Sequence, residues 1–543
     1  MRKSLLFSAA IVFLAGLILF SCKKKENELD PMRAFMTSGA ISINAGATNA
    51  VLSWKEAVNT DSSISTYTVE VSRDSTFATG AQFSYVVPGT SVTVTDTQLL
   101  IRTTYYARVK TNGSTPALDS KWVYSKKFSL TGEQIFMVVK DAELKHNSVI
   151  LRWNDSLHAN LVKIVLTPDG GTPTDYALTP QDIDSSNKKI EGLLPSTNYH
   201  AQIFSDTKEK GFIDFKTKDV PVYAYSIDST IDLAILLDTC APSIIIGLEP
   251  GTYTPSANCN IKSKSVTLMS VSGDPMDTKI VFKEFKLMGD GAGINFKDLS
   301  FDGLGTAAYF LNLAGLASDA AAASFANISV DNCRVSNYGN CFLRGNRGTA
   351  AGDHKIGTIK VNNTIVTNNT LAAAYTEFTL DKLAVQNVII TNSTFNKLGR
   401  AMFLMSTVLP ASAPAPVILF DRNTVNNWGS GGTRVLLDAN TNPVAVTISN
   451  NIFANTPRTG TLANDMIRAT GTGTTVAFSN NNYFKMMNGS AAALTIPANI
   501  TQAANQQVDL GWDSTTVNFK LPASSPLRTA SSTGGIIGDP RWD

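Results

Sequence analysis

An asparagine-rich turn recurs about every thirty residues through the C-terminal part of the chain. Each time, a short apolar run ends at one or more polar residues and a second short apolar run begins. The successive spacings are 31, 29, 31, 28 and 30 residues for Asn332, Asn363, Asn392, Asn423, Asn451 and Asn481. No single unit of this length could bury its apolar side chains alone, so the pattern predicts a stack of similar units.

The repeat predicts a right-handed parallel β-helix over residues 218–543. Asparagine tolerates left-handed backbone angles, and its amide can bond the turns above and below it. Stacked coils would therefore form an asparagine ladder at one corner, while aliphatic side chains fill the lumen. An antiparallel sandwich would also use short strands, but it gives no reason for the recurring asparagine. The pattern occupies seven segments, residues 296–301, 330–335, 361–366, 390–395, 420–425, 448–453 and 478–484.

The start of this domain carries a second signal. Residues 230–239 could form a capping helix, and residues 244–253 read as a strand followed by a Pro-Gly-Thr-Tyr turn. A further strand is predicted at residues 266–270. This order resembles the opening coils of pectin-lyase-like β-helices.

Two shorter segments, residues 36–130 and 131–217, precede the repeat and share one pattern. Each has an alternating strand that ends in a tryptophan, Trp54 in the first and Trp153 in the second. About 50 residues later each carries Leu-x3-Thr-x-Tyr, which ends at Tyr106 and at Tyr199. The spacing resembles the tyrosine corner of fibronectin type III domains. We therefore expect an all-β chain with two fibronectin-III-like sandwiches, of the kind that act as spacers, before the β-helix.

Residues 1–22 contain a basic start, an apolar run and a terminal Leu-Phe-Ser-Cys sequence. The apolar run is too short for a permanent membrane helix. Its end resembles a bacterial lipobox, which implies a mature chain that begins at a lipid-bearing Cys22. More than one acyl chain would anchor the protein stably. The alternative is an ordinary cleaved signal with an incidental cysteine.

Residues 23–35 read as a solvated tether. Three lysines follow Cys22 directly, with no aspartate beside it, which favours sorting to the outer membrane in a Gram-negative host. We expect the protein to contact the membrane through this lipid anchor only.

The chain ends in the sequence Gly-Asp-Pro-Arg-Trp-Asp, residues 538–543. Lipobox, modules and tail together resemble uncharacterised lipoproteins of polysaccharide-utilising Bacteroidetes, in which fibronectin type III modules precede a pectin-lyase-like β-helix. The resemblance covers nearly the whole chain. It implies an outer-membrane, cell-surface location, with polysaccharide and other surface glycan-utilisation proteins as partners. The structural interpretation of the tail is a cap over the last coil.

Charge excludes one class of partner. Only 17% of the residues are charged and the formal net charge is +2. A nucleic-acid backbone needs a concentrated basic surface, so nucleic-acid binding is not expected.

The cysteines leave two alternatives open. Export permits disulfides, and the pairings between cysteines close in sequence are Cys240–Cys259 and Cys333–Cys341. The alternative is that the cysteines are buried free thiols in apolar strands. No Cys-x-x-Cys or Cys/His spacing suggests a structural metal. The residues concerned are Cys240, Cys259, Cys333 and Cys341.

Catalytic signatures are weak in the repeat. A polysaccharide lyase needs a base and a cation such as Ca²⁺, which takes several carboxylates, whereas a glycoside hydrolase needs two carboxylates at a set separation. The acidic residues here are scattered, with no two adjacent. No cofactor is therefore expected, and Ca²⁺ only if the protein is a lyase. The scattered acidic residues include Asp302, Asp331, Asp353, Glu377, Asp381, Asp421, Asp438 and Asp465.

One aligned column is a candidate glycan-binding or catalytic site. Aligning the coil segments places Arg344, Asp438 and Arg468 near one edge. Glu377 could belong to the coil between Arg344 and Met405. Arginine forks suit sugar carboxylates and hydroxyls. Arg400 is a candidate base only if it reaches the same groove. The alternative is an exposed ladder of ion pairs.

A second column contains aromatic residues. Tyr338 and Trp428 each precede a glycine, and exposed rings in such a row would form a platform for sugars. The alternative is that both rings stack inside the lumen.

Three functions remain after these observations. We favour a non-catalytic surface lipoprotein that binds polysaccharide through its β-helix or takes part in polysaccharide utilisation. The first alternative is a polysaccharide lyase of the pectate-lyase kind, acting on uronate-rich glycans such as pectin. The second is a structural or adhesive surface protein without a sugar ligand.

Overall fold

The computed structural model describes residues 32–58, 65–154, 160–371, 375–490 and 492–543. They fall into two compact units that divide between Asp219 and Val220. Regular structure is nearly all strand, so the predicted fold, two sandwiches followed by a parallel β-helix, is confirmed. The predicted lipobox and Cys22 lie outside the described residues. Within those residues, no helix has the length and apolar character needed to cross a bilayer.

The first sandwich pairs a three-stranded sheet, β1-β2-β5, with a four-stranded sheet, β4-β3-β6-β7, all antiparallel. Its core contains Trp54, as the alternating pattern of that strand predicts. A short 3-10 helix spans Pro116–Leu118. The strands are β1 Ser42–Ala45, β2 Asn49–Ser53, β3 Tyr67–Ser72, β4 Phe83–Val87, β5 Ser91–Thr95, β6 Tyr106–Thr111 and β7 Val123–Tyr124.

The second sandwich repeats this order with a pair of strands, β8 and β11, against a sheet β10-β9-β12-β13. Trp153 is buried in its core. Helix α1, Pro180–Ser185, starts at a capping box formed by Thr179 and Asp182, and a 3-10 helix spans Asp141–Glu143. The strands are β8 Ser148–Arg152, β9 Leu161–Pro168, β10 Thr174–Ala177, β11 Asn187–Glu191, β12 Asn198–Ser205 and β13 Lys208–Lys216.

Both sandwiches contain the tyrosine corner, but one of the two predicted residues is wrong. In the second sandwich the backbone N–H of Leu194 donates to the Tyr199 hydroxyl at 2.8 Å, as predicted. In the first, the N–H of Leu100 donates to Tyr105 at 3.0 Å, and Tyr105, not Tyr106, is buried in the core. The motif is ambiguous there because its leucines, threonines and tyrosines are doubled, so two registers fit the same spacing.

The second unit is a β-helix with three faces, and every strand of a face pairs in parallel with the strand one coil away. Helix α2, Leu233–Thr239, packs Leu233, Ala234 and Leu237 into the first coils, where the sequence predicts a capping helix. Face A is a continuous ladder. Its strands are β14 Tyr225–Ile227, β15 Ile244–Leu248, β18 Ser265–Ser270, β21 Gly293–Lys297, β23 Ala323–Phe325, β24 Ile328–Asp331, β26 His354–Asn362, β29 Ala384–Thr391, β32 Val417–Asp421, β35 Ala445–Ser449, β38 Thr475–Ser479 and β40 Thr501–Ala503.

Faces B and C are joined by two long strands, β22 and β25, that bend from one face into the other. Face B contains β16 Gly251–Tyr253, β19 Thr278–Val281, β22 Ser300–Ala314, β25 Arg334–Arg344, β27 Ile365–Thr367, β30 Thr394–Asn396, β33 Thr424–Asn426, β36 Ile452–Thr456 and β39 Asn482–Met486. Face C contains β17 Cys259–Lys262, β20 Phe285–Met288, the ends of β22 and β25, β28 Phe378–Thr379, β31 Phe403–Leu404, β34 Leu437–Asn440 and β37 Ile467–Ala469.

Aromatic rings from successive coils stack along the lumen. The ring of Phe453 lies 6.0 Å from Phe420 and 6.0 Å from Phe478, nearly parallel to both. Stacked rings of this kind contribute about 0.5–1.5 kcal/mol per pair beyond their burial. The lumen is thus one continuous core that no single coil could form.

The corner between faces A and B holds two rows of side chains, where the sequence predicts one. The first row has left-handed backbone angles, with φ from 47° to 59°, and comprises Asp298, Asn332, Asn363, Asn392, Arg422, Asn450 and Asn480. The second row points inward and comprises Cys333, Thr364, Ser393, Asn423, Asn451 and Asn481. The predicted asparagines fall partly in each row, because neighbouring asparagines occupy both positions in the later coils.

The inward row forms an amide ladder. The Asn451 amide donates to the Asn481 side chain and to the Phe420 carbonyl, each at 2.9 Å. Its carbonyl oxygen accepts from the Asn423 backbone N–H at 2.8 Å. Each buried amide therefore satisfies backbone groups of the neighbouring coil that the turn leaves unpaired.

A second left-handed corner closes face B and was not predicted. Its residues have φ from 50° to 60° and comprise Asn337, Asn368, Lys397, Asn427, Asn455 and Lys485. Some of them also bond between coils; the Asn368 amide donates to Asn337 at 2.6 Å. Two of the six positions are lysines, so a recurring asparagine does not mark this row in the sequence.

The C-terminal tail does not cap the last coil, which corrects the prediction. Residues 507–543, here called the strap, run back along the outside of face B. Thr394 donates to the Asp539 carboxylate at 2.6 Å and accepts from the Trp542 indole N–H at 2.7 Å, more than one hundred residues earlier in the chain. Arg541 reaches the Asn363 carbonyl at 2.6 Å.

The strap packs on apolar side chains of the outer surface of face B. Ile452, Ala454 and Phe484 point away from the lumen and form a second small core with strap residues. The strap residues in this core are Trp512, Phe519, Leu521, Leu527 and Ile537.

The four described cysteines are buried free thiols, so the predicted local disulfides are not formed. Cys333 occupies the inward corner row, and its thiol donates to the Asp331 carbonyl at 3.2 Å. Burial raises the pKa of the Cys259 thiol to about 12. These thiols pack as small apolar side chains. The other two are Cys240 and Cys341.

We predict that Asn451→Ala destabilises the β-helix by about 1–3 kcal/mol, because the Asn423 N–H and the Phe420 carbonyl of the preceding coil lose their hydrogen bonds to the side chain. Urea unfolding of the full chain would measure the loss. Asn260→Ala is the matched control, since Asn260 is partly exposed on face C. Equal stability of the two variants would contradict the ladder.

We also predict that Gly538→Ala loosens the strap. A Cβ there would lie 2.8 Å from Ile452 and 2.9 Å from Thr424. Gly534 has a similar φ, 79° against 83°, but a Cβ there meets nothing within 4 Å. Trypsin should therefore cut after Lys520 and Arg528 faster in Gly538→Ala than in Gly534→Ala. Indistinguishable cleavage would show that the strap is not seated in this way.

Candidate functional site

Face C carries an outward column of side chains, since residues paired in register stand one above another, about 4.8 Å apart. The alignment of coil segments predicts Arg344, Asp438 and Arg468 in one column, and the strand register places them there. In ladder order the column contains Lys286, Asn312, Arg344, Thr379, Leu404, Asp438 and Arg468.

The far end of the column is an ion pair. Arg468 contacts Asp438 through two hydrogen bonds, of 2.7 Å and 2.8 Å. Thr379 and Leu404 separate this pair from Arg344. The alternative of an exposed ion pair thus describes this end, and the three charged residues do not share one groove.

Arg344 instead lies against two tyrosines that the sequence pattern does not indicate. Its guanidinium carbon lies 4.8 Å from the ring centre of Tyr309 and 5.7 Å from that of Tyr375. Its Nη1 donates to the Tyr309 hydroxyl at 3.0 Å. The two rings lie 6.0 Å apart at an angle of 82°. These three partly exposed residues are here called the tyrosine–arginine cluster.

The cluster presents hydrogen-bonding groups beside aromatic surface. Burial raises the pKa of the Tyr309 hydroxyl, and the charge of Arg344 opposes that rise. The hydroxyl therefore stays protonated at neutral pH and can accept from Arg344 while donating to a ligand.

Positive charge borders the cluster. Lys286 pairs with Asp319 at 2.6 Å, and Arg347 pairs with the same carboxylate. The Lys286 hydrogen bond and the Arg347 charge hold the pKa of Asp319 below its usual range. Arg347 also donates to Asn312 at 2.9 Å. Lys286, two coils before Arg344, and Arg347, on the same coil as Arg344, thus share one carboxylate.

Arg400 lies one coil beyond Tyr375. Its backbone N–H donates to the Tyr375 carbonyl at 3.2 Å, and its Nη2 donates to the Gly431 carbonyl at 3.1 Å. A Cβ on Gly431 would lie 2.9 Å from the Arg400 Nε, so glycine leaves room for the flat guanidinium. Of the predicted residues, Arg344 thus belongs to the cluster, and Arg400 adjoins it through its backbone while its side chain lies against Gly431.

Glu377 is fully buried and cannot contact a polymer, which corrects its assignment to an exposed groove. Its carboxylate accepts from the Gly399 N–H and the Tyr338 hydroxyl, each at 2.7 Å, and from the Asn369 amide at 3.0 Å. Burial raises its pKa, although these hydrogen bonds oppose the rise. The Glu377 carboxylate thus connects neighbouring coils by hydrogen bonds inside the β-helix.

Tyr338 and Trp428 are also fully buried, so the predicted exposed aromatic platform is wrong. The Trp428 ring stacks on Phe453 at 6.0 Å within the lumen. The alternative interpretation, lumen stacking, thus holds for Trp428, whereas the buried Tyr338 hydroxyl donates to the Glu377 carboxylate.

A weak signal for the missed tyrosines exists in the sequence. Tyr309 lies two residues before Leu311 and Tyr375 three residues before Phe378, and both Leu311 and Phe378 pair in the ladder of face C. Both follow irregular stretches without the regular spacing of the asparagine turns. The sequence alignment therefore could not bring them beside Arg344.

The described residues do not fit the calcium site that a lyase would need. Among them, no group of three or more His, Cys, Asp or Glu side chains is placed to hold a metal ion. The two carboxylates proposed for the site, Asp438 and Glu377, are engaged by an arginine and by buried donors.

Two stretches of the β-helix match the sequence models of known families. Residues 251–397 match a family described as Domain of unknown function (DUF4957), and residues 418–542 match Domain of unknown function (DUF5123). None of the curated proteins matches the chain.

Solved structures of fibronectin type III segments are also similar. A two-domain segment of chicken tenascin is 18% identical over 34% of this chain and 99% of its own, with a TM-score of 0.19. The FN1–FN3 domains of chicken CNTN1 are 14% identical over 34% of this chain and 66% of theirs, with a TM-score of 0.15. The fold of the sandwiches rests on their strand order and corner tyrosines, not on these scores.

We predict that Glu377 makes stability depend on pH. Its pKa is raised in the folded chain, so stability is lost as the pH rises from the ordinary glutamate range through the raised value. Glu377→Gln should therefore flatten this part of the curve of unfolding free energy against pH. Tyr338→Phe removes one donor to the carboxylate and should extend the loss to higher pH. Parallel curves for wild type and Glu377→Gln would contradict the assignment.

Proposed function

We propose that this chain is a lipid-anchored surface protein whose β-helix contacts polysaccharide through the tyrosine–arginine cluster. The observation that carries the proposal is the pair of partly exposed rings at 82° with an arginine bonded between them. Aromatic faces pack on the apolar faces of sugar rings, and guanidinium groups bond their hydroxyls.

The β-helix suits an extended ligand. Its outer side chains repeat in straight columns, so a polymer lying along the axis would meet equivalent positions coil after coil. The column on face C runs from Lys286 to Arg468 with Arg344 within it. Asn312 and Thr379, the neighbours of Arg344 in this column, are buried, so a polymer on this face would contact the cluster itself.

The lipid anchor and the sandwiches complete the proposal. The sequence of residues 1–22 supports anchoring at Cys22, and the short tether leads into two sandwiches that would act as spacers. In this proposal the protein sits at the outer surface of an outer membrane, beside other glycan-utilisation proteins. No observation in the described residues favours a lyase over binding alone.

Affinity electrophoresis of the full chain in gels containing polysaccharide tests the proposal. We expect wild type to be retarded by at least one glycan of a panel, and Tyr375→Ala to lose roughly tenfold in affinity, since an aromatic contact contributes about 0.5–1.5 kcal/mol beyond burial. Tyr309→Phe keeps the ring and removes the hydroxyl that binds Arg344, so it should weaken binding less.

Tyr225→Ala is the matched control, because Tyr225 is an exposed tyrosine on face A of the same β-helix. It should migrate as wild type does. Absence of retardation on every glycan would favour a structural or adhesive role instead. An increase in ultraviolet absorbance on uronate polymers would reveal the unsaturated ends that a lyase creates.

A further inference from the structure

We infer that the strap takes the place of an end cap. It clamps five successive coils together, so that they open as one unit instead of one after another from the C-terminal end. The inference concerns the stability of the β-helix and does not depend on a ligand. It assigns a role to the contacts between the strap and residues far earlier in the chain.

A stack of coils is weakest at its ends. Each coil pairs with the coil before it and the coil after it, so the stability of the stack is a sum of contributions between neighbours. The last strand of face A, β40, pairs with β38 alone among the described strands, and all three of its residues are exposed. Terminal repeats of this kind open first when no cap holds them.

The strap first runs away from this end across the outside of face B. It starts at the last strand of that face, where the Val508 N–H donates to the Asn482 side chain at 2.7 Å. It reaches Asn396, three coils earlier, whose amide donates to the Thr516 carbonyl at 3.1 Å. The first run of the strap thus already joins coils that do not touch one another.

The strap then returns and crosses the coils a second time. The Asn480 amide donates to the Ala530 carbonyl at 3.2 Å, close in sequence to the starting point. One coil further, the Ser532 N–H donates to the Asn450 side chain at 2.8 Å. Over both runs, the strap bonds to five successive coils through Asn363, Thr394, Thr424, Asn450 and Asn482.

Asp539 shows how one strap residue ties two coils. Its carboxylate accepts from the Thr394 hydroxyl at 2.6 Å, and its backbone N–H donates to the Thr424 hydroxyl at 3.0 Å. All three residues are at most 1% exposed. Because a buried polar group that loses its partner is costly, neither coil can open here without disturbing the other.

The apolar core between the strap and face B has the same effect. Ile452 and Ala454 belong to one coil and Phe484 to the next, and all three lie in one cluster with Trp512 and Leu527 of the strap. Opening of the last coil would expose this cluster to water, which opposes the opening.

The expected consequence is shared protection of backbone amides from hydrogen exchange. Residues that open together exchange with the same free energy of opening. The face B strands β30, β33, β36 and β39 should therefore exchange at similar rates, although β39 is the last strand of that face. A stack held by neighbours alone would exchange faster, strand by strand, towards the C-terminal end.

Hydrogen exchange of the full chain, followed by mass spectrometry of its peptides, tests the inference. The decisive variant is Thr394→Val, which keeps the shape of the side chain and removes the hydroxyl that bonds Asp539 and Trp542. We expect exchange to rise roughly tenfold in β30 and also in β39, three coils away, because both strands are held by the strap.

Thr379→Val is the matched control. Thr379 is an equally buried threonine, but its hydroxyl donates to the Thr376 carbonyl of its own coil at 2.7 Å. It should raise exchange in its own strand, β28, and leave β39 as in wild type. Trp542→Phe provides a second reading from the strap side. It keeps a ring beside Phe519 and loses the N–H that bonds Thr394, so it should also raise exchange in β39.

Two results would overturn the inference. In the first, Thr394→Val raises exchange in β30 and in the strands paired with it, β27 and β33, but leaves β39 unchanged. In the second, wild-type exchange becomes faster coil by coil from β30 to β39, which would show that the strap does not hold the end. Neither result bears on the proposed contact with polysaccharide, because Arg344 of the cluster lies on face C.

Discussion

The in-register pairing of each coil with the next is the constraint on which this structure depends. Parallel strands repeat at about 4.8 Å, so every coil must turn at the same places or the ladders of all three faces break together. The two left-handed corners meet this requirement, and the inward amides of residues such as Asn423 and Asn451 pair the backbone groups that the turns leave open. The aromatic lumen then forms because equivalent side chains are stacked.

The same constraint creates the candidate site. Residues about thirty positions apart become neighbours, so Tyr309, Arg344 and Tyr375 meet although no two are adjacent in the sequence. Face B shows the opposite use of an outer surface, since the strap covers it with Trp512, Trp542 and other apolar residues. On face C, Arg344 and Arg468 are partly exposed. One face is therefore closed by the chain itself, while the proposed ligand surface remains on another.

The fold is largely predictable, because the asparagine turn and the fibronectin-III-like pattern each recur along the sequence. The sequence pattern misleads where neighbouring residues are alike. Its spacing indicates Tyr106 although Tyr105 forms the corner, and it does not distinguish the two corner rows. The site was less predictable. An alignment of coils is enough to place Arg344 and Arg468 in one column. It does not reveal whether a side chain is exposed or buried, and Glu377 and Trp428 are both buried. The strap was missed since its contacts join residues more than one hundred positions apart.

Cross-linking between adjacent coils tests the central claim most directly. Thr447 and Ala477 are partners in the ladder of face A, thirty residues apart. In the variant Thr447→Cys/Ala477→Cys, mild oxidation should join the two positions within one molecule without loss of stability, because the partners stand within the range that a disulfide spans. Pairing of Thr447→Cys with Ser479→Cys, two residues out of register, should fail. Efficient cross-linking of the second pair, or none in the first, would contradict the stacked register and the surfaces built on it.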